Sequence, residues 1–125
     1  MNNKKKILII EDEEILGTML MRKISDEGYE VSLALDGEEG LALMKKNKPD
    51  LILLDIVMPK IDGFGVMHEM NKTENLNLNK MPVVIISNSG EPVEIDRILK
   101  LGVRDYLIKT QFNPEEVLEK VKKYL

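Results

Sequence analysis

The stretch LILLDIVMPKIDGFG, residues 51–65, decides the fold. Leu51, Ile52, Leu53 and Leu54 are apolar without interruption, the pattern of a strand covered on both faces. Asp55 then ends the run, followed by a proline and two glycines that mark a loop. A buried carboxylate is costly unless a cation, a proton or hydrogen-bond donors keep it company. Working outward from Asp55 therefore means asking what ends the other apolar runs of the chain.

Apolar runs also occupy residues 7–10 and 83–86, with weaker ones at 31–35 and 105–108. Between them lie helical spacings. Ile15, Leu16, Met19, Leu20 and Ile24 form one stripe, Leu41 and Met44 a second, and Phe64, Met67 and Met70 a third. Ile95, Ile98 and Leu99 form a fourth, and Val117, Leu118, Val121, Tyr124 and Leu125 the last. Gly28 follows the first helix and Asp36-Gly37 is expected to close the second strand. Pro92 and Pro114 suit first-turn positions, the second behind Asn113 as N-cap with Glu116 three residues on. Residues 71–80, NKTENLNLNK, predict a long loop or a frayed helix end.

This alternation predicts an α/β protein with a parallel sheet and helices on both faces. Five βα units suit a flavodoxin-like, doubly wound sheet of order 2-1-3-4-5, (βα)5. Such sheets bind ligands beyond the carboxyl ends of their strands, at the switch point between strands 1 and 3.

The 125 residues suit one domain spanning 1–125, with no output domain expected. Hydrophobic residues at 43% against 32% charged indicate a globular chain, and the absence of Cys excludes disulfides and thiolate metal sites. Cysteine-free composition suits a cytoplasmic protein. No apolar stretch is long enough for a membrane span, and the apolar part of MNNKKKILII is too short for a signal peptide. The net charge of −4 argues against direct nucleic-acid binding.

The first strand ends in Glu11-Asp12, the third in Asp55, the fourth in Ser87 and the fifth in Lys109. Taken singly, each has an ordinary explanation: EDEE as a helix start favoured by the dipole, Asp55 as a turn residue, Lys109 as a surface lysine. Their common edge changes that reading. Strands 1 and 3 are neighbours in the expected order, so Glu11, Asp12 and Asp55 would crowd together and repel. Hard oxygen ligands without His or Cys point to Mg²⁺, with room left for a substrate phosphate.

These residues are similar to the receiver domain of two-component response regulators, stand-alone and chemotaxis-regulator-like, over essentially the whole chain. The matching pieces are ILIIEDE at the first strand, LILLDIVMP and DG at the third, VVIIS at the fourth and DYLIK at the fifth. The resemblance implies Asp55 as phosphoacceptor, taking a phosphoryl group from a phosphohistidine. Asp12 is implied as the direct Mg²⁺ ligand, Glu11 beside it through water, and the backbone carbonyl of Val57 as a third ligand. Lys109 would pair first with the acceptor and then with phosphoryl oxygens. Ser87 would donate its hydroxyl to the phosphoryl group, and Tyr106 would change rotamer when that hydroxyl moves. The chain would catalyse its own phosphorylation and slow self-hydrolysis while working as a switch.

Implied partners are a sensor histidine kinase or phosphotransfer protein, and a downstream protein that reads the face of helix 4, strand 5 and helix 5. Asp96, Arg97, Lys100, Lys120 and Lys122 are candidate contacts, on a monomer or a weak phosphorylation-dependent dimer. Val57 and Ser89 flank the acceptor and are expected to tune the lifetime of the phosphorylated state. The sequence departs from the family at Thr110, where a proline after a cis peptide is usual, at Asn88, where a small residue is usual, and at Glu11, where Asp is more frequent. The geometry of the Lys109–Thr110 bond stays open at this point. His68 is expected on the surface, and Met19, Met44, Met67 and Met70 in the core. An unphosphorylated interaction module would be free to lose members of the set Glu11, Asp12, Asp55, Ser87 and Lys109. A phosphatase would want a second Asp at position 57, which is Val.

Overall fold

The computed structural model describes residues 4–125 except 77, 79, 89 and 112; Ser89 thus lies outside the described residues. Five strands and five helices alternate: β1 Lys6–Ile10, α1 Glu14–Ser25, β2 Glu30–Ala34, α2 Gly37–Asn47, β3 Leu51–Asp55, α3 Gly63–Lys72, β4 Val83–Ser87, α4 Pro92–Leu99, β5 Asp105–Ile108 and α5 Pro114–Tyr124. The strands pair in parallel in the order β2-β1-β3-β4-β5. This is the flavodoxin-like arrangement that the alternation predicts.

The two-residue period of a strand divides the core in two. Leu51 and Leu53 pack with Ile7, Ile9, Val84, Ile86 and Leu107 against Leu20 and Ile24 of α1 and Val117 and Val121 of α5. Ile52 and Leu54 turn the other way with Leu8, Ile10, Val83 and Ile85, against Met44 of α2, Val66, Met67 and Met70 of α3 and Ile98 of α4. All five residues of β3 are buried, Asp55 included.

Helix ends follow the local chemistry. Asn113 caps α5 by accepting from Glu116 N–H at 2.9 Å, with Pro114 in the first turn. Asp36 is the N-cap of α2, accepting from Glu39 N–H at 2.8 Å, so Asp36-Gly37 opens a helix rather than closing a strand. The stretch expected as a polar loop also contributes to the core: α3 runs to Lys72, a 3-10 turn follows at Glu74–Leu76, and Leu76 and Leu78 are buried. Their burial supplies the anchor that the surrounding asparagines conceal.

Two expected core residues lie outside. Ile15 is 88% exposed and Met19 43% exposed. They line a groove between α1 and the start of α5 with Asn113 and Pro114, while Gly17, Leu20 and Ile24 make the buried face of α1. Phe64, Leu99 and Leu125 are likewise exposed, at the margins of their stripes. Met44, Met67 and Met70 are buried, and His68 is exposed, as expected.

Asp105 fastens β5 to α5. Its Oδ2 accepts from Lys120 Nζ and Tyr124 Oη, both at 2.8 Å, and its Oδ1 accepts from Tyr106 N–H at 2.8 Å. Partial burial pushes its pKa up, but the Lys120 ammonium and the other donors outweigh burial and hold it below the ordinary carboxylate value. A depressed folded pKa gives stability that is full above the unfolded value, ~4, and is lost as pH falls through the folded one. Asp105→Asn is expected to lower stability by about 1 kcal/mol at pH 7, the group being partly solvated. Urea unfolding at pH 7 and pH 3 checks this: the gap between the two proteins should shrink at pH 3.

Candidate functional site

Four chain segments converge at the carboxyl edge of the sheet. The register sets Ile10 beside Leu54 and Asp55 beside Ile86, so the residues just after β1 and at the end of β3 arrive together. Glu11 N–H donates to Ala34 O at 3.0 Å, which carries the β1–β2 ladder one residue further and fixes Glu11 in place. Likewise, Lys109 N–H donates to Ser87 O at 2.7 Å, extending the β4–β5 ladder. Among the described residues no peptide bond is cis, so Lys109–Thr110 is trans. The lysine reaches the pocket from that backbone.

Carboxylate oxygens of Glu11, Asp12 and Asp55 lie within 4.8 Å of one another. Glu11 and Asp55 are buried, at 0% and 3% exposure, whereas Asp12 is open to solvent. Lys109, its side chain 7% exposed, brings Nζ to 2.7 Å from Glu11 Oε1, 2.8 Å from Glu13 Oε2 and 3.1 Å from Asp55 Oδ2. The contacts to Glu13 and Asp55 are hydrogen bonds. The contact to Glu11 is a close ion pair, and neither Glu11 carboxylate oxygen has a hydrogen-bond partner. Burial, then the neighbouring Asp55 carboxyl, pushes the Glu11 pKa up to about 8 against the pull of Lys109. Burial disfavours the Lys109 ammonium, but Glu11, Glu13 and Asp55 together raise its pKa above the ordinary lysine value. The site thus holds excess acidic oxygen with one ammonium to balance it.

The donor set fits a hard divalent cation. Three carboxylates converge, Glu11 has buried oxygens without hydrogen bonds, and Asp12 leaves a side open to water.

The acceptor's loop is shaped by packing. Ile56 and Met58 are buried, and Val57 between them turns its side chain to solvent. Gly63 N–H donates to Ile56 O at 2.7 Å, and Asp62 caps α3 by accepting from Gly65 N–H at 2.8 Å. A Cβ on Gly63 would fall 2.7 Å from Asp55 O and 2.8 Å from Ile56 Cα, so only glycine lets α3 begin this close to the acceptor. Ser87 is buried at the end of β4, and Tyr106 is half-buried on β5 against the cluster under α2, α3 and α4.

Glu11, Asp12, Asp55 and Lys109 therefore meet as the sequence suggests, with Ser87 on the adjoining strand end. Glu13 is a further member that sequence reasoning passes over, because an acid at a helix start already has an explanation in the dipole. Its signal was position: two residues past a predicted metal ligand, at the same sheet edge. Of the cations nominated for partner contact, Lys120 pairs with Asp105, Lys122 with Glu27 at 3.3 Å, and Lys100 with Asp96 at 2.9 Å.

Comparison with known proteins gives the family of the chain. The sequence profile of the response regulator receiver domain matches residues 7–122. The chain is 37% identical over 123 residues to the probable transcriptional regulator ycf27 of Cyanophora paradoxa, covering 98% of this chain and 49% of the relative. It is 38% identical over 123 residues to the alkaline phosphatase synthesis transcriptional regulatory protein PhoP of Bacillus subtilis, covering 97% and 48%. The chain thus spans about half the length of these curated relatives. Among solved structures, the chemotaxis protein CheY4 of Vibrio cholerae superposes with a TM-score of 0.87 at 28% identity, covering 98% of this chain and 99% of that one. A Francisella response regulator receiver domain superposes with a TM-score of 0.87 at 30% identity, covering 97% and 96%. No helix among the described residues is long and apolar enough to cross a membrane. With the profile matched from the first strand to the last helix, the chain belongs to the response regulator receiver domain family of two-component systems.

Proposed function

We propose that residues 1–125 act as a single phosphorylation-dependent receiver domain with Asp55 as phosphoacceptor. The observation that carries this reading is the Asp55 carboxylate, buried at the end of β3 with Lys109 Nζ at 3.1 Å and two further carboxylates beside it. A donor phosphohistidine on a sensor kinase or phosphotransfer protein presents its phosphorus to Asp55. An Asp55 oxygen forms the new P–O bond as the P–N bond breaks, and the imidazole leaves with the electron pair. Lys109 holds charge on the transferring oxygens.

Glu11, Asp12, Asp55 and the Val57 carbonyl would hold Mg²⁺, which supplies charge neutralisation for the phosphoryl group when bound. The Ser87 hydroxyl donates to a phosphoryl oxygen once it is in place. Tyr106, half-buried on β5, then repacks, and the face of α4, β5 and α5 changes shape. Exposed Val93, Leu99 and Leu101 on and after α4 give that face apolar contacts for a downstream protein. The chain works there as a monomer or a weak phosphorylation-dependent dimer. Hydrolysis of the acyl phosphate resets it, and a cytoplasmic setting suits the kinase partner.

Intact-mass measurement after incubation with Mg²⁺ and acetyl phosphate tests the reading. One phosphoryl group should be added, none in chelator and none in Asp55→Asn. Uptake that persists in Asp55→Asn, or none in the wild type, would overturn it.

A further inference from the structure

Three carboxylates crowd Lys109 Nζ within 3.1 Å, and two of them, Glu13 and Asp55, accept hydrogen bonds from it. Two of these partners, Glu11 and Asp55, are buried and cannot leave without stranding a charge away from water. The third differs. The Glu13 side chain is 57% exposed and reaches in from the N-cap position of α1. An N-cap side chain ordinarily accepts from the first helical N–H groups, yet that of Glu13 makes no cap hydrogen bond and goes to Lys109 at 2.8 Å instead.

If Lys109 neutralises a phosphoryl group on Asp55, as proposed above, a phosphoryl oxygen must compete for an ammonium that three carboxylates already crowd. We propose that Glu13 is a displaceable latch, a positioning residue whose carboxylate occupies Lys109 and must swing into water before a phosphoryl oxygen can replace it. Glu13 thereby competes with the phosphoryl group for one ammonium and weakens the hold of the site on it. Water re-solvates the released carboxylate, so the competition is modest. An exposed pair of this kind alters the affinity for a phosphoryl mimic by about two- to five-fold.

The test titrates the full chain, in saturating Mg²⁺, with beryllofluoride as the phosphoryl mimic, following heat or amide NMR shifts. Glu13→Ala should bind about two- to five-fold more tightly than wild type at low salt. The gain should largely vanish near 1 M salt, where the Debye length is ~3 Å. Glu14→Gln removes the same charge one residue along, where the side chain lines the α1–α5 groove, and should match wild type. Unchanged or weaker binding by Glu13→Ala would overturn the latch, as would an equal gain in Glu14→Gln, which would mark a diffuse field effect. Failure of the phosphoacceptor reading looks different: the wild type would not bind beryllofluoride at all, or Asp55→Asn would bind it equally well, and the latch would fall with it. Because Glu13 makes no cap bond, melting curves of its variants should stay close to wild type.

Discussion

Lys109→Met is expected to lower stability by about 2–4 kcal/mol in chelator at pH 8.5. The substitution keeps most of the buried volume and removes, among the described residues, the one ammonium paired with Glu11 and Asp55. Breaking a buried ion pair from one side costs more than the pair contributes, because the remaining charge has neither water nor partner. The penalty should ease at pH 6. Glu11 has a raised pKa in the folded state, so its favourable contribution is full below its unfolded value and is lost as pH climbs through about 8. Below that, a proton on Glu11 does part of the work of the missing ammonium. Millimolar Mg²⁺ should recover part of the deficit by replacing the charge. Urea unfolding in chelator at both pH values, and in Mg²⁺ at pH 8.5, gives the three numbers. A variant as stable as wild type at pH 8.5 in chelator would mean that Lys109 does not balance the pocket.

Gly63→Ala should cost about 2–3 kcal/mol and slow phosphoryl uptake by on the order of ten-fold or more. The added methyl meets backbone on two sides, Asp55 O at 2.7 Å and Ile56 Cα at 2.8 Å, and neither can rotate away. Relief requires α3 to retreat or the acceptor's own peptide to shift. Gly65→Ala supplies the contrast within the same turn. There the methyl meets the Ile61 Cγ2 atom at 2.6 Å, a methyl on the Cβ of a half-buried side chain that a χ1 rotation can move, and not backbone. Alanine also suits a helix better than glycine, so Gly65→Ala should cost under about 1 kcal/mol. Thermal melts and initial rates of acetyl phosphate uptake for both variants check the ordering; equal losses at the two positions would contradict it.

The strands were legible because burial on both faces leaves an unbroken apolar run, and the polar residue that stops each run marks the sheet edge. That is why the sequence alone places Asp55, Ser87 and Lys109 at one edge. Helical stripes were less reliable. Spacing shows which residues share a side of α1, but not how wide a strip its neighbours cover, and Ile15 and Met19 fall outside the covered width. Leu76 and Leu78 were hidden by the asparagines around them, since burial there depends on a short 3-10 turn and not on a period. Thr110 left the bond after Lys109 open because side-chain reach can compensate for either backbone; the trans bond still delivers Nζ to Asp55. Glu13 was missed because one residue type satisfies two physical demands, helix dipole and ion pair, and spacing cannot tell them apart.

The role of Asp55 is open to direct chemical mapping. Wild-type protein loaded with phosphoryl group in Mg²⁺ can be reduced with borohydride, which converts an aspartyl acyl phosphate to homoserine, then digested and sequenced by mass spectrometry. Homoserine should appear at position 55, dependent on donor and Mg²⁺, and nowhere else in the chain. Homoserine at Asp12 or another acid, or a phosphoryl group that resists reduction because it sits on a hydroxyl or on His68, would contradict the assignment of Asp55 as acceptor.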